Sequence, residues 1–416
     1  MLFTRANSKA ILLWLIPLSF FAFQFILRLW PSLMMKNIMH QFGINATSFG
    51  VLASVYYYGY AAFQIPIALC LERIGARYVI SICALICGLA TYMGAKTGCW
   101  YVALLARFLV GVGSAAGFLG VSKVITERFA EKNYSRMIGL SFSIGLLGAI
   151  YGGKPISLLM EKIGEERVVC ILTAIAIFIA LISFVFLKSP SVVNSHIKRE
   201  KLLFKDLKKV LSSKAVLLLA GANLLMVGSL EGFADVWGIN YLMVAYQMPK
   251  VEAAGIVSFI FVGMLFGGPI LAYFANKSDN LSIISACGLW MAFLLLLLIY
   301  QGSHLHHYEL IALFTMIGIL CCYQVLIFAA GSEYVDKHLL SITVAFLNCI
   351  NMLGGSFFHS TIGFIMDYNW EGDMLHDHKI YSMATYKIAL SMIPICAGIG
   401  GGVVGFVKMN KKLKKS

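Results

Sequence analysis

"GYAAFQIPIALCLERIG" (residues 59–75) and "GMLFGGPILAYFANKSD" (residues 263–279) come into register when the chain is slid along itself by about 204 positions, the mark of an internal repeat. Gly59 meets Gly263, Ala68 meets Ala272, Glu72 meets Asn276 and Arg73 meets Lys277. In both copies a long apolar run ends and a very short polar loop begins. The repeat divides the chain into two like halves.

Composition says what surrounds those halves. Of 416 residues, 60% are hydrophobic and 12% charged, with a mean hydropathy of +0.84. A soluble domain carries about 25% charged residues, so most of this surface faces something other than water. Only helices and closed barrels satisfy their backbone in lipid, and a spanning helix needs about 20 mostly apolar residues. About twelve runs meet that length, near 10–34, 46–71, 78–97, 101–126, 137–160, 168–187, 215–240, 253–275, 282–301, 309–331, 339–365 and 384–408. They are too long for the alternating strands of a barrel. The expected fold is an all-α polytopic membrane protein of twelve transmembrane helices in two six-helix bundles. The first run lacks a small-residue cleavage site, so no cleavable signal peptide is expected.

Lys and Arg orient the chain. Arg5 and Lys9 precede the first run. "KSPSVVNSHIKREKLLFKDLKKVLSSK" (188–214) carries Lys188, Lys198, Arg199, Lys201, Lys205, Lys208, Lys209 and Lys214 against Glu200 and Asp206, and "KMNKKLKKS" adds five lysines at the end. Both termini and the central loop are expected on the cytoplasmic side. The opposite side is balanced or acidic, with Asp367, Glu371, Asp373 and Asp377 in one loop. The expected organisation is a bundle over 1–187, a basic linker over 188–214 and a bundle over 215–416. The net charge of +14 is then a topology signal with some attraction to anionic lipid; without a soluble basic domain, nucleic acid is not an expected partner. Of the ten cysteines, Cys83, Cys87, Cys287, Cys321 and Cys322 sit inside apolar runs without zinc-ligand or disulfide spacing, which favours packing. No resident metal or cofactor is expected.

"ALCLERIGAR" (68–77) resembles the loop signature between spans two and three of the major facilitator superfamily, Gly-x-x-x-Asp-Arg-x-Gly-Arg-Arg/Lys. Glu72 stands for the acid, Arg73 and Arg77 for the bases and Gly75 for the turn glycine; Ala68 replaces the first glycine and Ala76 one arginine. "RFLVGVG" is similar to the fourth-span Arg-x-x-x-Gly-x-Gly signature through Arg107, Gly111 and Gly113. "GLLGAIYGG" is similar to the glycine-rich fifth-span signature without its central Gly-Pro pair. "FGINATSFGVLASVYYYGYAAFQIP", "FADVWGINYLM" and "FLNCINMLGGSFFHSTIGFIMD" resemble a proteobacterial branch. That branch includes amino-acid importers of intracellular bacteria and relatives of lysosomal dipeptide transporters, with organic-anion and sugar-phosphate exchangers as neighbours. The resemblance implies a monomeric secondary transporter of the bacterial inner membrane, with a substrate site between the halves and alternating access. It also implies that Glu72, Arg73, Gly75 and Arg77, with Asn276 and Lys277 in the second copy, form a cytoplasmic gating loop. The expected partners of these charges are a helix end or charges on a neighbouring span, such as Glu127 or Arg128.

Ionisable residues within spans mark cavities or pathways. Arg28 lies deep in the first run, just before Trp30 and Pro31, where it can attract a carboxylate or phosphate or hold a helix by an ion pair. Glu231 and Asp235 stand at i and i+4 on one helical face, suited to carrying protons or receiving a substrate ammonium; the alternative places both at the outer edge, in water. Tyr57, Tyr60 and Gln64 share a face that can pack or touch substrate. Arg107 can snorkel or act in the pocket. Asn348 and Asn351 can bond substrate or a neighbouring helix, and Glu333, with Asp336 and Lys337, closes the cytoplasmic end. His304, His306 and His307 read as a solvated external cluster.

"GAIYGGKP" (148–155) is one position short of a nucleotide-binding P-loop, but Pro155 stands where Ser or Thr would hold magnesium and no strand precedes it. The glycines at 145, 148, 152 and 153 instead let another helix approach. Lys154 can snorkel outward or face a cavity. No enzymatic constellation stands out. The expected function is proton-driven import of an amino acid or short peptide, without another cofactor. The alternatives are an organic-anion or phosphorylated-metabolite exchanger in which Arg28 and Lys154 clamp the anion, and a non-transporting membrane sensor or scaffold.

Overall fold

The computed structural model describes residues 5–130, 133–187, 204–301, 305–336, 339–375 and 378–413. Lys188, Lys198, Arg199 and Lys201 of the basic loop, and His304, Lys337 and Asp377, lie outside them. The described chain is all-α apart from a hairpin of two short strands, Met374–Leu375 and His378–Lys379.

Among the described residues, eleven helices are long and apolar enough to cross a membrane. The remaining expected span, Ala46–Arg73, is a continuous helix of 28 residues. Its tyrosines at 56, 57, 58 and 60, together with Gln64, dilute its hydropathy below that of the others. Several spans are each split into two helices. Trp100–Ser114 gives way to Ala116–Arg128 at Ala115, and Tyr134–Gly152 gives way to Lys154–Ile163 at Gly153, just ahead of Pro155.

Backbone contacts divide the chain into two compact units. The first holds Met1–Phe42 and Val55–Lys198; the second holds Gly43–Ser54 and Arg199–Ser416. In the first, Arg5–Leu33 packs on Tyr134–Gly152 and Ala116–Arg128, and Ala76–Lys96 packs between Glu165–Phe186 and Trp100–Ser114. In the second, Asn280–Gln301 packs on Met383–Leu413, which also meets Lys214–Met226, and Lys250–Lys277 packs on His307–Cys321. The described part of the basic linker contains a helix, Phe204–Ser212. Val210 anchors it in a cluster with Val216, Ala220, Leu339 and Leu347.

Glycine sets the closest approaches. A Cβ at Gly148 would run into the Ala22 carbonyl, and one at Gly145 into the Phe21 ring, so the P-loop-like stretch is a helix-packing face. The repeat has the same physical content in both halves. A Cβ at Gly59 would meet the Phe108 carbonyl, and one at Gly263 the Thr315 carbonyl. Gly59→Val and Gly263→Val should each destabilise the protein by roughly 1–3 kcal/mol, the usual cost of overpacking. Residual monodisperse protein after heating in detergent measures this, and unchanged midpoints would show that the helices can separate without cost.

Candidate functional site

In the first unit the site begins with Pro31. Proline has no N–H, so the carbonyl four residues earlier, at Leu27, loses its helical donor. Arg107 supplies one: its Nη1 donates to the Leu27 carbonyl at 2.7 Å, and Nη2 donates to the Arg28 carbonyl at 2.8 Å. The Arg107 guanidinium lies over the Tyr56 ring, 4.7 Å from its centroid, and the Tyr56 hydroxyl donates to Gln24 Oε1 at 2.9 Å. Arg28 lies over Phe25 at 4.9 Å. Both arginines are 7% exposed, so Arg107 does not snorkel; it braces the turn that carries Arg28.

Tyr57 is buried edge-on to Tyr56, Tyr60 is half-buried and tilted against Tyr56, and Gln64 is half-buried. The tyrosine that meets Arg107 is therefore Tyr56, which the helical face Tyr57–Tyr60–Gln64 passes over. Lys154 is exposed at the start of its short helix, two residues past Gly152, which packs on Ile26 and Leu29.

In the second unit Glu231 is 2% exposed and Asp235 1%, which removes the reading of both as water-facing edge residues. The backbone that carries them also departs from expectation. Val227–Ser229 is a 3-10 turn and Leu230–Trp237 a π-helix, packed on Phe358 and Ile362 through Gly228 and Gly232. Such widened turns are rare and recur at functional sites. Glu231 lies close enough to Cys321 and Tyr323 to act on both electrostatically. Asn240, Asn351 and His359 are buried in the same unit, whereas Asn348 is half-buried. Sequence reading missed His359, Gln24 and Tyr56, because one polar residue in an apolar run carries no sign of what it faces.

The loop charges have a further partner in Lys123. Lys123 bridges Glu72 at 3.0 Å and Glu127 at 3.4 Å, which brings the expected Glu127 into the network of the loop. Arg77 lies over the Phe184 ring at 4.4 Å, Arg73 is exposed, and Gly75 turns the chain at φ 90°. Asn276 is exposed, Lys277 lies over Tyr273 at 4.3 Å, and Asn280 donates to Glu333 at 3.3 Å. Glu72 is part-exposed, so a double-mutant cycle of Glu72→Gln with Lys123→Gln should return a coupling of about 0.2–1 kcal/mol in thermal stability. Strictly additive effects would dissolve the pair. His307 Nδ1 meets Glu252 at 3.2 Å, and His306 caps its helix with Glu309, which gives the described histidines of that loop structural partners.

The family profile described as Major Facilitator Superfamily matches residues 12–359. Among curated proteins, a probable sulfoacetate transporter of Cupriavidus necator is 23% identical over 167 residues, covering 40% of this chain and 38% of that protein. Probable anion transporter 7 of Oryza sativa subsp. japonica is 28% identical over 152 residues, 36% of this chain and 34% of that one. A putative tartrate transporter of Agrobacterium vitis is 27% identical over 126 residues, 29% of this chain and 27% of that one. These matches span well under half of each relative. Among solved structures, a bacterial homolog of the human lysosomal transporter Spinster, inward-facing and occupied, superposes with a TM-score of 0.72 at 18% identity, covering 95% of this chain and 96% of that one. A mutant of the nucleoside transporter NupG gives 0.76 at 13% identity, covering 94% and 99%. At those identities the likeness is one of fold.

Proposed function

We propose, for a chain that belongs to the major facilitator superfamily, proton-coupled import of a small organic anion across the bacterial inner membrane by alternating access, with both termini cytoplasmic. The family is one of membrane transporters, which are not enzymes and which act on small molecules. The observation that carries the proposal is a segregation of buried charge. Among the described residues, the buried charged side chains of the first unit are both bases, Arg28 and Arg107, and those of the second are both acids, Glu231 and Asp235. Ionisable groups are expensive at membrane depth and persist where they bind something. A guanidinium presents a planar fork of donors that matches a carboxylate or sulfonate. A carboxylate can take up and release a proton, so the two units divide the work between anion and proton. The names of the sulfoacetate, anion and tartrate relatives support an anionic substrate.

Amino acids and short peptides form the second reading. A zwitterion carries the same carboxylate, and Glu231 or Asp235 would receive its ammonium.

Uptake into proteoliposomes under an imposed inward proton gradient separates these readings, using labelled dicarboxylates, sulfonates, amino acids and dipeptides. Gradient-driven uptake of anions without an ammonium supports the first, and uptake confined to zwitterions replaces it with the second. No gradient-driven uptake of any of them would overturn both.

A further inference from the structure

The first four backbone N–H groups of a helix have no partner within it. In Ala46–Arg73 their replacements come from unusual places. Ser48 N donates to Asn45 Oδ1 at 2.9 Å and Phe49 N to the Asn45 carbonyl at 3.0 Å, an ordinary local cap. Ala46 N donates instead to the Tyr381 hydroxyl at 2.9 Å, and Thr47 N to Asp367 Oδ2 at 2.7 Å, groups more than 300 positions away in sequence. The Thr47 hydroxyl also donates to Asp367. The other oxygen of Asp367 accepts from the Tyr381 hydroxyl at 2.7 Å and from Lys379 Nζ at 3.1 Å. Burial raises the pKa of the Tyr381 phenol, so it remains a donor. Lys379 is held in turn over the Trp370 ring at 4.5 Å. Asp367 is thus a remote cap, and Lys379 and Tyr381 hold it.

The seam below this cluster is built on close backbone approaches and serine hydroxyls. Gly363 lies against the Ala46 carbonyl and Gly50 against the His359 carbonyl, each too close to admit a Cβ. The Ser54 hydroxyl donates to the Ser356 carbonyl at 2.8 Å and pairs with the Ser360 hydroxyl, while the Ser356 hydroxyl donates to the Ser54 carbonyl at 3.1 Å. Residues 43–54 accordingly group with the second unit, although the rest of their helix groups with the first. The Phe49 ring also packs edge-on to Trp237, 6.2 Å between centroids, and water can replace the hydrogen bonds at the helix end when the faces part. Four donor groups from three residues converging on one carboxylate make the contact stronger than packing alone.

We propose that Asp367, with Thr47, Lys379 and Tyr381, is a releasable clasp that holds the start of helix Ala46–Arg73 against Leu340–Tyr368 and must open in each transport cycle. The proposal deepens the alternating-access reading above and rests on it. On the proposed topology the clasp faces outward.

The test uses a reporter that needs no substrate. Ser356→Cys, buried in the seam, is placed in a full-length chain whose exposed Cys99 and Cys170 are serine. Its modification by a membrane-impermeant maleimide is followed by peptide mass spectrometry. Adding Asp367→Ala should speed modification at least about tenfold, as expected when a charged hydrogen-bonding partner is lost. Tyr381→Phe, which keeps the ring, should speed it less. An unchanged rate in monodisperse Asp367→Ala protein would overturn the clasp. In a second arm, Thr47→Cys with Asp367→Cys is oxidised to a disulfide. Uptake should stop and return on reduction, and undiminished uptake with the disulfide formed would overturn the requirement for opening. If the unmodified protein transported nothing, the transport reading would fail while the labelling arm still reported on the clasp.

Discussion

Replacing Arg28 with alanine is expected to lower uptake by about 100-fold, the equivalent of roughly 3 kcal/mol at 1.4 kcal/mol per decade. Truncating one partner of a buried, hydrogen-bonded charge pair costs about 2–5 kcal/mol, and at 7% exposure Arg28 is buried enough for that range to apply. Arg28→Lys should recover little, because a point charge cannot reproduce the planar fork. Arg107→Lys should behave differently. Arg107 spends two nitrogens on the Leu27 and Arg28 carbonyls, and one ammonium on a flexible stem holds both poorly. Its expected signature is a raised KM from a misdirected Arg28, with protein that still purifies as a single species. Initial rates in proteoliposomes, normalised to inserted protein, measure both variants. Wild-type KM and rate in Arg28→Ala would remove the first unit's bases from substrate binding.

Glu231→Gln and Asp235→Asn should abolish accumulation driven by a proton gradient in at least one case. Exchange of internal for external substrate should stay within about twofold of the unsubstituted protein. A carboxylate has two protonation states and an amide one, so the substitution removes the proton cycle while keeping size and hydrogen bonding. Both side chains are buried in a π-helical segment, so the amides need no new space. Gradient-driven accumulation unimpaired in both variants would place the coupling proton elsewhere. If Glu231 or Asp235 instead receives a substrate ammonium, exchange would collapse together with accumulation.

How much of this was legible beforehand depends on the range of the interaction. The helices follow from apolar runs, because lipid forces each span to satisfy its own backbone; Ala46–Arg73 was found by length despite its tyrosines. The matching of Gly59 to Gly263 was visible as letters, and it is physical because both glycines admit a carbonyl from a neighbouring helix. Arg28, Arg107, Glu231 and Asp235 stood out because charge is conspicuous in an apolar run. Gln24 and Tyr56 did not, since nothing local distinguishes Tyr56 from Tyr57, Tyr58 or Tyr60. The choice of Lys123 as the partner of Glu72 was equally hidden, since the two are 51 positions apart.

The solvent, the helical class, the doubled architecture and the residue types that any site had to use are written along the chain. Each of these is set by composition or by periodicity along the chain. The tertiary structure alone decided that Arg107 replaces the donor Pro31 removes, that Glu231 and Asp235 are buried rather than at an edge, and that Asp367 caps a helix begun more than 300 residues earlier. Those are pairings of donors with acceptors across space. A backbone group left without its partner accepts whichever side chain the packing brings within about 3 Å, and the order of residues does not say which one that is.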